Sequence, residues 1–281
     1  MTRTAISALN DTAALRLVCF SHAGGGVAMF HRWRAALPGW LDLVPITLPG
    51  HDGRLGEAPC TDLRRLAGVL VDELKTIFIR PYALLGHSMG AWLAFELARA
   101  VRRQQTACGL RPPELLVVAA SRPPHARSSE PPIHLLPDDE LVAEVDRRYG
   151  GIPAGVRASR ELLQLLLPAL RADLQMIETY DYDDERPLGT PILALGGTED
   201  SAVSVAELGE WRRHTTGEFS LRLFPGRHFF LFAGRPAAGS ARATTPASEI
   251  PPALRAILGQ LERCMPFERS NFHAADETPP D

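Results

Sequence analysis

Tyr82-Ala83-Leu84-Leu85-Gly86-His87-Ser88-Met89-Gly90-Ala91 contains the pattern G-x-S-x-G, and its flanks decide how it is read. The run before Gly86 is short and apolar, as in a buried strand. From Ala91 to Ala100 the residues are strong helix formers. A serine on a sharp strand-to-helix turn holds its hydroxyl exposed. Gly86 and Gly90 suit that turn, because a Cβ at either position would meet the neighbouring strand or helix. The helix also aims its positive N-terminus at the serine, which favours a developing oxyanion. The pattern alone arises by chance in loops; the strand before it and the helix after it give it weight.

Upstream, Leu15 to Phe20 reads as a strand that runs into Ser21-His22-Ala23-Gly24-Gly25-Gly26, and Met29 to Leu37 as a helix. The glycine-rich turn matches neither G-x-G-x-x-G nor G-x-x-x-x-G-K-[ST]. It suits the loop that supplies a backbone oxyanion donor in α/β-hydrolases, and the expected donors are the N–H groups of Ala23 and Met89. Leu41 to Ile46 is the next expected strand. Thr61 or Asp62 can cap a helix through Phe78, with Leu63, Leu66, Leu70 and Leu74 at spacings of three and four. The helix after Ser88 is expected to end near Gln104, and Glu114 to Ala120 is a further strand.

The rhythm changes at Ser121. A proline-rich stretch leads to a helix over Asp138 to Tyr149, broken by Gly150-Gly151-Ile152-Pro153. Glu161 to Tyr180 gives one or two helices, with Pro168 marking a break or kink. Strand–helix alternation then resumes with Pro191 to Leu195, a helix over Val203 to His214, and a strand over Phe219 to Phe224. These patterns predict an α/β-hydrolase fold with a mostly parallel central sheet, helices on both faces and a helical lid insertion. The expected organisation is a flexible N-terminus (1–13), a core (14–121 and 189–265), a lid (122–188) and a disordered tail (266–281). Residues 234 to 249, rich in Gly, Ala, Ser, Thr and Pro, read as a mobile loop before a closing helix from Ile250 to Cys264.

With 281 residues, 45% hydrophobic, the chain can bury one large core. A net charge of −3 supplies no basic field for nucleic acid. Cys19, Cys60, Cys108 and Cys264 show no C-x-x-C pairing, so neither a zinc site nor a disulfide framework is indicated, and no cofactor or metal is expected. The N-terminus lacks the apolar stretch of a signal peptide and no window spans a membrane, which leads to the expectation of a cytoplasmic protein.

A serine hydroxyl needs a base, and the base needs an orienting carboxylate. Asp200 and His228 both follow expected strands, in the chain order Ser, Asp, His used by α/β-hydrolases. Parallel strands present their C-terminal ends on one edge, so Ser88, Asp200 and His228 are expected to converge there. Glu199 adjoins Asp200, but loop neighbours usually point apart, and Asp200 is the better candidate. His87 is expected to pack beside the serine and His22 to be structural. His31, His51, His125, His134, His214 and His273 carry no motif and read as surface or packing residues.

On these residues the chain resembles the type II thioesterases, free-standing editing hydrolases of polyketide and nonribosomal peptide synthesis. The likeness runs over about residues 14 to 232. It rests on L-V-C-F-S-H-A-G-G from Leu17, G-H-S-M-G from Gly86, L-L-P-A-L-R-A-D-L-Q-M-I-E-T-Y from Leu166, Pro191 to Gly197, and F-P-G-R-H-F-F-L from Phe224. His51 stands where that family often carries arginine, and Ser21 where proline is common. The resemblance implies Ser88 as nucleophile, His228 as base, Asp200 as its carboxylate, and Ala23 with Met89 as the oxyanion hole. It implies acyl or peptidyl carrier proteins as partners. Arg122, Arg127 and Arg171 are candidates to meet an acidic carrier, though arginine is abundant throughout. The alternatives are a chain-releasing thioesterase or general esterase on the same fold, and a non-catalytic carrier-binding protein.

Overall fold

Six short apolar runs form one sheet, in the order β2-β1-β3-β4-β5-β6, and every adjacent pair is parallel. They are β1 (Leu15–Phe20), β2 (Leu41–Pro45), β3 (Tyr82–His87), β4 (Leu116–Ala119), β5 (Ile192–Gly197) and β6 (Phe219–Phe224). The computed structural model describes residues 9–126, 130–232 and 250–265. The expected looseness of residues 1–8, the expected mobile loop at 234–249, the expected disordered tail at 266–281, Arg127 and His273 lie outside them.

Period-two alternation sorts the strand residues between two cores. Val18, Phe20, Leu84 and Val118 face helices α1 (Leu63–Glu73) and α3 (Met89–Cys108). Leu17, Cys19, Leu85 and Val117 face the closing helix α8 (Pro252–Cys264) and a 3₁₀ helix over Val27–Ala36. A helix was expected over Met29 to Leu37, and the one found is 3₁₀ in type. Its buried anchors, Phe30 and Trp33, are three apart, the spacing at which 3₁₀ side chains eclipse. The expected helix to Phe78 splits into α1, capped by Asp62 on the Arg65 N–H, and a short α2 (Lys75–Phe78). The expected Val203–His214 helix likewise divides into α7 (Val205–Gly209), with a Ser204–Glu207 capping box, and a 3₁₀ turn over Glu210–His214.

Between β4 and β5 the described residues hold three helices and no named strand: α4 (Asp138–Arg148), α5 (Ala154–Ala158) and α6 (Arg160–Glu178). The short α5 was not foreseen, and α6 continues through Pro168 without a break. Ile133, Leu141, Val145, Leu167 and Leu174 give this insertion a buried cluster of its own. No helix among the described residues is long and apolar enough to cross a membrane.

A buried ion network ties α3 to the segment leaving α6. Arg99 on α3 bonds Glu96, the Asp183 carbonyl at 2.7 Å and Glu185 at 2.6 Å. Tyr180 Oη–H donates to Glu96 at 2.6 Å. Removing one member of a buried pair strands the other charge. Arg99→Ala should therefore cost about 3–5 kcal/mol in urea denaturation; a loss below about 1 kcal/mol would show that water reaches Glu96.

Candidate active site

The turn between β3 and α3 has no space for a side chain at two places. A Cβ on Gly86 would overlap the Gly90 carbonyl and the Ala91 nitrogen; one on Gly90 would overlap the Phe20 and Ser21 carbonyls. Strand, helix and the end of β1 thus cross at backbone contact. Between them Ser88 adopts φ 55 and ψ −119, a conformation that non-glycine residues rarely take. Its N–H is anchored on the Ala119 carbonyl at 2.8 Å, and Ala91 N–H returns to the Ser88 carbonyl at 3.0 Å.

Ser88, Asp200 and His228 come together beyond the C-terminal ends of β3, β5 and β6. His228 Nε2 lies 3.0 Å from Ser88 Oγ, and His228 Nδ1 lies 3.0 Å from Asp200 Oδ2. The second oxygen of Asp200 accepts the Ala202 N–H at 2.9 Å, which fixes the carboxylate. Carboxylate and imidazole are both buried, while Glu199 is exposed. An acceptor-only carboxylate at Nδ1 makes that nitrogen the donor and leaves Nε2 to accept the serine proton. The group can therefore hold a proton relay in the direction nucleophilic attack requires.

Two further imidazoles surround it. His87 Nε2–H donates to the His228 carbonyl at 2.9 Å, so His87 packs beside the serine and fixes the backbone of the relay histidine. Burial, with the nearby His228 and His22, pushes His87 well below the ordinary histidine value; its buried Nδ1 has no hydrogen-bond partner. Burial also lowers His22, whose Nδ1–H donates to the Ala23 carbonyl at 3.0 Å. Neutral rings here leave the relay without competing cations.

Two cavities meet at Ser88, His228, Tyr149 and Ile177. One, about 260 Å³, has a mixed lining in which Ser121, Arg122 and Glu178 stand among apolar and aromatic groups such as Met89 and Trp92. The other, about 140 Å³, is apolar and lies against α4 and α6 through Val142, Val145, Leu167 and Leu170; Ala23 is on its wall. Of the two residues expected to supply oxyanion donors, Met89 lines the larger cavity and Ala23 the smaller. Tyr149 packs its ring 5.1 Å from that of His228, a contact the sequence did not announce.

Several histidines read as surface or packing residues sit in polar networks instead. His51 is buried and paired with Asp173 at 2.9 Å. His134 bonds Glu178, and His125 and His214 bond each other at 2.7 Å. Burial and the neighbouring His125 lower His214 to about 4. The signal for the first pair was legible: Asp173 interrupts the apolar face of α6, with Ala169, Leu170, Met176 and Ile177 at helical spacing around it. Arg122 and Arg171, candidates for meeting a partner, are engaged within the chain, with Glu207 and Asp138 respectively.

The thioesterase domain model matches residues 15–241. The gramicidin S biosynthesis protein GrsT of Aneurinibacillus migulanus is 37% identical over 227 residues, 81% of this chain and 87% of that protein. The thioesterase RedJ of the prodiginine pathway in Streptomyces coelicolor superposes with a TM-score of 0.75 at 36% identity, covering 90% of this chain and 91% of its own. The type II thioesterase BorB of the borrelidin cluster gives a TM-score of 0.72 at 36% identity, covering 91% and 94%.

Because the carbonyls at the end of β1 cannot yield, Gly90→Ala should slow covalent labelling of Ser88 by a fluorophosphonate at least about a hundredfold. Gly68→Ala, on α1 with open space around it, should label at the wild-type rate and gain up to about 1 kcal/mol of stability. Equal labelling of the two variants would contradict the tight-turn account.

Proposed function

The chain belongs to the thioesterase domain family, and from that premise we propose that it is a serine thioesterase acting on carrier proteins. Its substrate is an acyl group carried as a thioester on a phosphopantetheine arm. Its role is that of the type II enzymes, clearing aberrant or stalled acyl chains during polyketide or nonribosomal peptide synthesis. The observation that carries this reading is the Ser88–His228–Asp200 relay at the junction of two cavities, one mixed and one strongly apolar.

The chemistry follows from the relay. Ser88 Oγ attacks the thioester carbonyl carbon as His228 Nε2 takes its proton. The carbonyl oxygen becomes an oxyanion, held by the Ala23 and Met89 N–H groups. Met89 opens α3, so the helix N-terminus adds its partial positive charge. Loss of one such donor typically costs about 10²–10³ in rate. The intermediate collapses, the carbon–sulfur bond breaks, and the pantetheine thiol leaves with the proton from His228. Water, deprotonated by His228, then attacks the acyl-serine, and collapse returns Ser88 and the free acid. Asp200 keeps the proton on Nδ1 throughout and offsets the imidazolium charge.

The cavities divide the substrate by chemistry. An amide-bearing arm suits the mixed one, where Ser121, Arg122 and Glu178 can meet its amides, and an acyl chain the apolar one. An apolar cavity of about 150 Å³ takes a benzene ring, so about six carbons fit the smaller space. That limit favours an editor of short chains over a releaser of long products. The helices over the apolar cavity act as its lid.

Hydrolysis of acetyl-, butyryl-, hexanoyl- and palmitoyl-loaded carrier protein, with a simple ester in parallel, tests the reading. Short acyl carriers should turn over fastest and palmitoyl at least about tenfold slower. Ser88→Ala should be inactive, and Asp200→Asn should lose about 10⁴ in kcat. Fast ester cleavage with acyl carriers ignored would replace the editor by a general esterase. A preference for palmitoyl would indicate a chain-releasing enzyme.

A further inference from the structure

Asp173 is a buried carboxylate on α6 that takes no part in the Ser88 relay. Its Oδ2 accepts two hydrogen bonds, from the Gly24 N–H at 2.8 Å and from His51 Nε2 at 2.9 Å. The other ring nitrogen of His51 lies 3.1 Å from the Pro49 carbonyl. A carbonyl and a carboxylate only accept, so both nitrogens must carry protons. His51 is an imidazolium here and Asp173 its counter-ion, a charge-assisted pair shielded from water.

This pair holds the loop after β1. Within that loop the Gly25 N–H donates to the His22 carbonyl at 2.9 Å, and Ser21 Oγ–H donates to the Gly25 carbonyl at 2.9 Å. The first bond turns the His22–Ala23 peptide so that the Ala23 N–H points the opposite way. The next peptide is held at both ends, its Ala23 carbonyl by the His22 Nδ1–H at 3.0 Å and its Gly24 N–H by Asp173 from the helical insertion. Ala23 thus sits between one peptide set by the loop itself and one that the loop and α6 hold together.

We propose that Asp173, paired with His51, is a positioning residue for the Ala23 N–H, so that seating of α6 on the loop completes an oxyanion site that the loop's own bonds only begin to set. The inference rests on the reading of Ser88 as nucleophile and Ala23 as donor. It couples closure of the insertion to assembly of the oxyanion site. The charged and titratable groups facing His51 are Asp173 from α6, Asp52 from its own turn and His22 from the β1 loop. Burial pushes His51 down, but the Asp173 bond and charge, the Pro49 carbonyl and Asp52 outweigh it and hold its proton above the ordinary histidine range. The anchor is therefore complete at neutral and lower pH and weakens as pH rises through that raised value, when His51 loses its charge and one of its two bonds.

The test is steady-state hydrolysis of butyryl-loaded carrier by wild type, Ser88→Ala, Asp173→Asn, His51→Gln and His51→Arg across the alkaline range, with unfolding temperatures recorded. Asp173→Asn and His51→Gln should lower kcat about tenfold to a hundredfold with KM within about threefold. His51→Arg should rescue the loss seen in His51→Gln and stay flat where wild-type kcat falls with rising pH. A folded Asp173→Asn with kcat within twofold of wild type, beside an inactive Ser88→Ala, would overturn the inference and leave the site reading intact. An active Ser88→Ala would overturn both. If Asp173→Asn does not fold, the His51 pair decides: a shared alkaline fall in wild type and His51→Arg overturns the proposal, and its loss in His51→Arg supports it.

Discussion

Backbone contact at Gly86 and Gly90 is the constraint on which the remaining geometry depends. β3 and α3 approach closely enough that neither glycine has space for a Cβ, and the carbonyls that exclude one at Gly90 belong to the end of β1. One crossing therefore sets three things together. It forces Ser88 into a positive-φ conformation, starts α3 at Met89, and brings the loop carrying Ala23 beside them. The strain at Ser88 persists because the surroundings over-determine it. α3 is buried along most of its length, and β3 is paired on both sides, with β1 and β4.

The insertion depends on the same crossing from above. Its helices have their own apolar cluster, but their polar attachments reach into the core at chosen points. The Glu96–Arg99 network ties the segment leaving α6 to α3. Asp173 ties α6 to the β1 loop. The apolar lining of the smaller cavity offers water few partners on one side of Ser88, and electrostatic interactions there are stronger than in solvent. On the proposed reading, a thioester carbonyl at the junction meets the serine, the imidazole and the proposed Ala23 and Met89 donors with little reorganisation left.

The sheet and the relay were legible because each rests on a local signal. β1 and β6 match the apolar runs to the residue, and Ser88, Asp200 and His228 follow strand ends, which a parallel sheet collects on one edge. Helix type was less legible. The 3₁₀ segment of Phe30 and Trp33 and the division of α1 from α2 are decided by packing against the sheet, which propensity does not contain. Pro168 suggested a break or kink, and α6 runs on through it without a break. The polar contacts that hold the site were the least visible. His51 and Asp173 are separated by 122 residues, and although Asp173 stands out on an apolar helix face, neither stretch names the other as its partner. Only the fold places an acidic group on an apolar helix face against an imidazole and a backbone N–H.

The central claim, that Ser88 receives the acyl group, is tested most directly by mass. Mixing the protein with butyryl-loaded carrier, quenching within milliseconds in acid and digesting should yield the Ser88 peptide carrying one butyryl group. Free butyrate should appear as that adduct decays. Release of butyrate with no acyl adduct on Ser88 at any time, or an adduct on a cysteine, would contradict the account.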